Sequence, residues 1–381
     1  MDFTLTEAQR ALQDTARRLA EEVFAPRAEE YDRSETYPYE NIPYLVRAGF
    51  MGMSLPTEYG GGGRPLLDAI LVVEEIAAAC ATTGRIVVEG NTGAALAIAH
   101  YGSSEQKGRW LPLVVQGEKP CIAITEPEAG SAATELTTSA RLVDGHYILN
   151  GVKRFITGAG VSRLYLVFAR FGEGKGAEGI GGIVVERGTP GFTFGRRWPM
   201  MGIRGMPEGE LVFVDCPVPQ GNLLVPPEEG GFRKLMTAYN SQRVGAAAAA
   251  LGVAQGAFRR AVDYAQKRRQ FGQPIANFQG IQWLLADMFL ALEAARLLVY
   301  RAAANAGYGF PDMQEAALAK TFAAEMAIQV TNNALQIHGA YGYSRDLPLE
   351  RMVRDARMFS IGGGTTQVMR NLIARGILGR K

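Results

Sequence analysis

The spacing of the apolar residues changes twice along this chain, and the two changes limit the folds that it can adopt. Up to about residue 115 the apolar residues recur at helical spacing, as at Leu12 and Ala16. From about residue 118 the chain contains short segments rich in β-branched and aromatic residues, separated by Gly, Asp and Pro. After Gly231 the helical spacing returns and continues to the end. We therefore predict an α+β multi-domain protein with an N-terminal helical domain (1–117), a middle β domain (118–228) and a C-terminal helical bundle (229–381).

Local sequence predicts several details of these domains. Thr6 and Gln9 have the spacing of a capping box, in which each side chain bonds the other residue's backbone N–H. The apolar stretch from Ile86 to Ala99 is predicted to be helical. The predicted strands lie in KPCIAIT, GHYILNG, RLYLVFAR, GIGGIVVE and ELVFVDC.

The charge balance and the cysteines argue against several classes of partner. Lys and Arg number 40 against 38 Asp and Glu, which leaves a net charge of +2 and indicates neither nucleic acid nor an anionic membrane as a partner. Three cysteines lack the spacing of a metal site, and we expect reduced thiols in a cytoplasmic protein. We also see no export signal and no apolar run long enough to span a membrane.

A run of three glycines, Gly362 to Gly364, ends an apolar segment in DARMFSIGGGTTQVMR. Thr365 and Gln367 follow where a new helical pattern begins. Glycines let a ligand approach the main chain closely, and amides at a helix N-terminus can receive an anion or a polarised oxygen. A flexible turn with a threonine N-cap is the alternative interpretation.

Two further stretches offer an aromatic surface beside hydroxyl groups. IAITEPEAGSAA carries Thr125 and Ser131 in a strand and turn, and KRFITGAG places Phe155 near Thr157. Such a combination suits a flat heteroaromatic ring with polar edges. An ordinary β-turn and a core phenylalanine are the alternative.

Several long motifs, in the same order, resemble those of the acyl-CoA dehydrogenase family. They are ITEPEAGS, LNGVKRFITGAG, QRVGAAAAALGVAQGAF, YAQKRRQFGQPIANFQGIQWLLADM, QIHGAYGY and LERMVRDAR, and they span most of the chain. The resemblance implies an FAD enzyme in which an N-terminal helical domain, a central β-barrel and a C-terminal four-helix bundle enclose flavin and acyl-CoA. It also implies a homotetramer, or at least a dimer, because FAD sites in this family are shared between subunits.

The resemblance assigns cofactor and substrate residues by their motif positions. Those implied near the flavin or the CoA phosphates are Ile124, Thr125 and Ser131, with Phe155 and Thr157 beside the isoalloxazine ring. The residues implied to reach the FAD of a neighbouring subunit are Arg268, Gln270 and Phe271. The remaining implied cofactor contacts are Gln336, Gly339, Thr365 and Gln367. Those that resemble the turn contacting CoA are Tyr239, Asn240 and Arg243. Without the resemblance, a solvated helix C-terminus favoured by the helix dipole is the preferred interpretation of the basic residues 267–269.

Two departures from the family pattern concern the catalytic base. Family members remove the α-proton of the substrate with a glutamate while the flavin accepts the β-hydride. The residue that matches this glutamate is Gly363, which has no side chain. The position used by other branches is Gln242, whose amide is not basic. Both base positions are therefore empty, although the Gly363 amide can still polarise a thioester oxygen.

A third departure is Arg85, in a segment that resembles the distal end of the acyl pocket. A guanidinium there can bind a terminal anion through two hydrogen bonds, and Glu89 is placed to orient it by an i,i+4 pair. A surface arginine between helices is the alternative.

With Gln242 and Gly363, Arg85 makes this chain resemble the 3-sulfinopropionyl-CoA desulfinase branch of the family. That resemblance implies removal of sulfite from 3-sulfinopropionyl-CoA, giving propionyl-CoA without net redox change, and it makes Arg85, Gln242 and Gly363 the candidate catalytic residues. The sulfinate is already a leaving group at the β-carbon, so the reaction need not begin with loss of an α-proton. Two alternatives stay open: a dehydrogenase of a short or dicarboxylyl-CoA (succinyl or glutaryl type) that uses an unrecognised base such as Glu89, and a protein that binds FAD or acyl-CoA without turnover.

Overall fold

The N-terminal part of the chain is helical, as its apolar spacing predicts. A computed structural model describes residues 4–379, so the outer residues of the two predicted terminal domains lie outside the described range. Thr6 and Gln9 form the predicted capping box at the start of the first helix, with N···O distances of 3.1 and 3.2 Å. The helices of this part are α1 Glu7–Leu19, α2 Ala28–Ser34, α3 Ile42–Arg47, α4 Leu66–Ala79, α5 Ala81–Asn91, α6 Ala94–Tyr101 and α7 Ser104–Val115.

The predicted helical stretch from Ile86 to Ala99 is interrupted between α5 and α6. Thr92 is extended, and Gly93 has a φ of +55° that only glycine adopts readily. The Gly93 N–H donates to Ser241 Oγ at 2.9 Å, and a Cβ at Gly93 would lie 2.3 Å from Gln242 Oε1. α5 therefore ends where the chain contacts a helix that is distant in sequence. Local apolar spacing could not predict this contact.

The middle of the chain forms one sheet of eight strands. These are β1 Cys121–Ala123, β2 Ser139–Val143, β3 His146–Thr157, β4 Leu164–Phe171, β5 Ile180–Glu186, β6 Phe192–Trp198, β7 Glu208–Pro219 and β8 Leu223–Val225. They pair in the order β6-β7-β3-β2-β4-β5-β8, with β1 added to β4. All five predicted strand segments are confirmed. Three strands, β2, β6 and β8, were not predicted. Most residues of β6 are exposed and it lacks a continuous apolar pattern, and β8 has only three residues.

Strand β4 joins the sheet to the helices by the alternation of its side chains. Leu164, Leu166 and Phe168 pack into the large core that also holds the helices. Tyr165 and Val167 point to the opposite face and pack into a second core within the sheet. Both faces of this strand are therefore buried, and the middle domain is fixed against the helical parts.

The C-terminal part is dominated by three long helices that pack on one another. Its elements are α8 Gly231–Lys267, the hairpin β9 Arg269–Gln270 and β10 Gln273–Pro274, α9 Gln279–Ala306, α10 Met313–His338, α11 Ala340–Tyr343, α12 Leu349–Met358 and α13 Thr366–Ile377. Along α8 a buried run of alanines, 246–250, lets neighbouring helices approach closely. In contrast, α9 exposes large apolar side chains, among them Trp283 (64%) and Leu290 (68%). Within residues 4–379, no helix combines the length and apolar character needed to cross a membrane.

Candidate active site

The glycine loop, residues 362–364, connects α12 to α13 and faces α8 and α10. Gly363 and Gly364 have φ values of +76° and +94°, which favour glycine at both positions. Thr365 is the N-cap of α13, as predicted, and its Oγ1 accepts from the Val368 N–H at 3.2 Å. A Cβ built on Gly363 would have as its nearest atoms Lys320 Cε and Tyr239 Oη, both at 4.0 Å. The loop therefore leaves open space where a side chain would otherwise project.

The predicted CoA turn on α8 packs directly against this loop. Arg243 donates from Nε to the Gly363 carbonyl at 3.3 Å and from Nη1 to Asn240 Oδ1 at 2.8 Å. Its guanidinium also lies 5.3 Å from the centre of the Tyr239 ring. Arg243 and Asn240 are buried, and burial lowers the pKa of Arg243 from its ordinary value. Gln242, which is half-buried, packs its amide against Gly93.

Lys320 on α10 is a site residue that the sequence analysis missed. It is only 1% exposed, and its Nζ donates to the Gly364 carbonyl. Among the described residues no carboxylate pairs with it. Burial, reinforced by the positive charges of Arg243 and Arg85, lowers the pKa of Lys320 to about 7. One lysine in an apolar helical stretch carries no local signal for such a position.

Arg85 lies in the interior, and the alternative of a surface arginine is wrong. It is 6% exposed on α5, and its Nη2 donates to Glu89 Oε1 at 2.7 Å, which confirms the predicted i,i+4 pair. Its Nε is buried and has no hydrogen-bond partner within the described part of the chain. Glu89 therefore fixes Arg85 through Nη2, while the Nε–H group of Arg85 stays without a partner in the described chain.

Glu89 also binds Lys119, a second residue that the sequence analysis missed. Lys119 is 2% exposed, and its Nζ contacts Glu89 Oε2 and the Thr157 carbonyl, the latter at 3.4 Å. Each carboxylate oxygen of Glu89 thus accepts from a buried cation, which makes Glu89 poorly suited to remove a proton from a substrate. The same contacts connect Arg85 to the end of strand β3.

Phe155 and Trp198 form an aromatic wall at the ends of β3 and β6. Their ring centres are 5.0 Å apart, and Phe155 is 48% exposed, so it is not a core residue. Phe155 also has a φ of +55°, an unusual conformation for a residue with a side chain. Trp198 Nε1 is buried without a partner among residues 4–379. An exposed ring beside a free N–H and the Thr157 hydroxyl fits a flat heteroaromatic ligand with polar edges.

A buried ion pair fixes the turn that follows β1. Glu126 accepts from Lys153 Nζ at 2.8 Å and from the Thr138 N–H at 2.9 Å. Burial alone would raise the pKa of Glu126, but Lys153 and the threonine donors lower it to about 2. Ile124 and Thr125 lie at the start of this turn, where the Thr125 carbonyl accepts from the Arg154 N–H at 2.8 Å. Ser131 is exposed at its far end.

Family profiles for three successive domains match the chain. The acyl-CoA dehydrogenase N-terminal domain matches residues 6–118, the middle domain 121–216 and the C-terminal domain 229–378. The chain belongs to the acyl-CoA dehydrogenase family. This membership agrees with the observed order of helices, sheet and helices.

Related proteins agree with this membership over nearly the whole chain. A 3-sulfinopropanoyl-CoA desulfinase of Paraburkholderia xenovorans is 56% identical and covers 100% of this chain and 98% of its own. The structure of butyryl-CoA dehydrogenase from Megasphaera elsdenii has a TM-score of 0.95 at 39% identity, covering 99% of this chain and 100% of its own. A glutaryl-CoA dehydrogenase in complex with glutaryl-CoA has a TM-score of 0.95 at 33% identity, covering 100% and 98%.

The residues that acyl-CoA dehydrogenase motifs assign to the cofactor fall into separate groups in this chain. Arg268, Gln270 and Phe271 are exposed on the β9–β10 hairpin and its approach, and Phe271 is 92% exposed. Arg268 lies 5.9 Å from the centre of the Tyr341 ring, which follows the exposed residues Gln336 and Gly339. Gln367 is exposed on α13. No hydrogen bond or ring contact in the described chain joins the hairpin to the aromatic wall.

Proposed function

We propose that this chain is an FAD-containing acyl-CoA enzyme that removes sulfite from 3-sulfinopropionyl-CoA and releases propionyl-CoA. The observation that carries the proposal is the buried Arg85, whose Nε has no hydrogen-bond partner in the described chain, together with the lack of a basic side chain at positions 242 and 363. The full-length similarity to a desulfinase supports it. A dehydrogenase needs a base near the α-carbon, and the suggested substitute Glu89 already binds Arg85 and Lys119.

The charges near the glycine loop favour an anionic ligand. Arg243 and Lys320 are each less than 5% exposed, and neither has a carboxylate partner in the described chain. An unpaired buried charge is unfavourable, so these cations favour a ligand that supplies negative charge. A sulfinate on a short acyl chain supplies one.

The reaction consumes water and is balanced without an oxidant. The carbon-sulfur bond breaks with its electron pair left on the β-carbon, which takes a proton. The departing sulfur dioxide takes hydroxide from water and becomes bisulfite. On this basis we classify the enzyme as a hydrolase that acts on a carbon-sulfur bond.

We assign the substrate contacts as follows. Arg85 holds the sulfinate through the N–H groups that Glu89 does not use. The Gly363 N–H polarises the thioester oxygen, and Gln242 positions the substrate or the water. Ser131, Tyr239, Asn240 and Arg243 bind the CoA part.

FAD binds against the aromatic wall, where the Phe155 ring is exposed and Trp198 Nε1 lacks a partner. We assign Thr157 to the edge of the flavin ring, and Ile124, Thr125, Ser131, Thr365 and Gln367 to further contacts with the same cofactor. Arg268, Gln270 and Phe271 contact the FAD of a neighbouring subunit, consistent with their exposure in one chain, and Gln336 and Gly339 contribute further cofactor contacts. When bound, FAD supplies the family's redox-active ring and a ribityl hydroxyl as a second donor to the thioester oxygen.

We further propose a homotetramer in the cytoplasm, with domains 1–117, 118–228 and 229–381. The exposed apolar residues of α9 favour burial against other subunits. Cys80, Cys121 and Cys216 are all free and buried, which suits a reducing compartment.

The test is to incubate the purified flavoprotein with 3-sulfinopropionyl-CoA without an electron acceptor, and to measure free sulfite and propionyl-CoA. We expect both products in equal amounts. Absence of sulfite, together with acceptor-dependent oxidation of succinyl-CoA or glutaryl-CoA, would instead assign the chain as a dehydrogenase. Binding of acyl-CoA without any turnover would assign it as a silent binding protein.

A further inference from the structure

Glu208, the first residue of β7, lies at the same strand ends as the aromatic wall. It is the register partner of Thr157 on β3 and of Trp198 on β6. The Thr157 hydroxyl donates to Glu208 Oε1 at 2.7 Å, and the Glu208 side chain is half-buried. The carboxyl group is therefore fixed beside the proposed flavin ring and keeps one oxygen free of that bond.

The charged groups around Glu208 come from three other parts of the chain. Arg85 and Glu89 face it from α5, Lys119 from the segment before β1, and Tyr239 from α8. None of the described cations forms an ion pair with it. Burial raises the pKa of Glu208 to about 7, although the Thr157 hydrogen bond, Arg85 and Lys119 oppose the rise. At pH 7 the carboxyl group therefore carries a proton in about half of the molecules, far more often than an ordinary glutamate does.

The proposed reaction needs a proton at one particular carbon. In the arrangement proposed above, Arg85 holds the sulfinate, whose sulfur is bonded directly to the β-carbon, and Thr157 lies beside the flavin ring. Glu208 combines both features, since it bonds Thr157 and lies within the electrostatic reach of Arg85. Lys320, in contrast, lies beside Gly363, whose N–H we assign to the thioester oxygen.

We propose that Glu208 is the general acid that protonates the β-carbon as the carbon-sulfur bond breaks, an inference that rests on the proposed desulfinase function. The O–H proton of Glu208 passes to the carbon, which keeps the electron pair of the broken bond. Sulfur dioxide leaves and adds water to give bisulfite, and the proton released in that addition restores the Glu208 carboxylic acid. No oxidant or reductant is required.

The test compares Glu208→Gln and Glu208→Asp with the wild-type holoenzyme. A general acid contributes roughly 10²- to 10⁴-fold to rate, so we expect Glu208→Gln to lower kcat by about that factor while KM changes less than about threefold. The wild-type kcat should fall as pH rises above about 7, because the acid becomes ionised. Glu208→Asp should retain partial activity and this pH dependence, whereas the residual activity of Glu208→Gln should lack it. A role confined to holding Thr157 would lower activity without removing the pH dependence.

Glu210→Gln is the matched control, because Glu210 lies two residues along β7 and pairs with Arg154 at 3.1 Å. It should keep the wild-type rate and pH profile. Turnover in D₂O should place deuterium at C3 of propionyl-CoA. The inference is overturned if Glu208→Gln stays within threefold of wild type, or if Glu208→Asp loses the pH dependence while still turning over. If wild type itself releases no sulfite, the desulfinase function fails, and the role of Glu208 fails with it.

Discussion

Replacing Arg85 with lysine tests whether this residue selects an anionic acyl chain. Arg85 uses Nη2 for Glu89 at 2.7 Å and keeps a buried Nε without a partner in the described chain. A lysine keeps the positive charge and can still bind Glu89. It lacks the planar fork that allows one side chain to hold Glu89 and a ligand at once. The substitution therefore removes the ligand contact while it preserves the charge of the pocket.

The expected effect follows from the loss of one charge-assisted contact. Hydrogen bonds to charged groups contribute about 1.5–3 kcal/mol. A tenfold change in affinity corresponds to about 1.4 kcal/mol, so anionic acyl-CoA should bind roughly 10- to 150-fold more weakly. Butyryl-CoA has no charge at its acyl end, and its affinity should change less than about twofold.

Isothermal titration calorimetry with glutaryl-CoA and butyryl-CoA measures both affinities for wild type and Arg85→Lys. Arg370→Lys is the control, since Arg370 pairs with Glu325 at 2.6 Å and its side chain is 53% exposed. That control should change neither affinity. An equal loss for both ligands in Arg85→Lys would show that Arg85 only supports the structure, and the assignment of an anion site would be withdrawn.

Three further predictions concern the glycine loop, the buried ion pair and the exposed helix. Gly363→Glu should lower sulfite release at least about tenfold and create acceptor-dependent oxidation of butyryl-CoA, because no atom lies closer than 4.0 Å to a Cβ built there, while the φ of +76° adds backbone strain; unchanged release with no oxidation would contradict the proposed site. Glu126→Gln should reduce the free energy of unfolding by about 3–5 kcal/mol at pH 7, measured by denaturant titration, because Lys153 becomes a buried unpaired cation. The folded pKa of Glu126 is lowered to about 2, so its stabilising contribution is present above pH 4.5 and should be lost as the pH falls toward 2. Leu290→Asp, at a position 68% exposed in one chain, should reduce the mass measured by light scattering without unfolding the subunit; an unchanged tetramer would place the interface elsewhere.

The sequence by itself determined the order of the helical and β parts and the family, and it shows that positions 242 and 363 carry no carboxylate. Apolar spacing of about four residues in helices and two in strands is a local property, so the change near residue 118 could be read directly. The long motifs identified the family, and the hypothesis that Gly363 and Gln242 replace the usual bases needed no coordinates. The i,i+4 pair of Arg85 with Glu89 was also predictable, because helix geometry fixes which side chains meet. The assigned roles of the site residues remain predictions.

Only the tertiary structure decided which charged side chains lie near Arg85 and the glycine loop. Lys119 is 30 residues from Glu89 in sequence, and Lys320 is 44 residues from the Gly364 carbonyl that it binds. Glu208 meets Thr157 across 51 residues through the register of β3 and β7. Local pattern cannot encode such contacts, because they depend on how separate elements pack. The titration of these groups depends on that packing as well, since burial and neighbouring charges shift their pKa values.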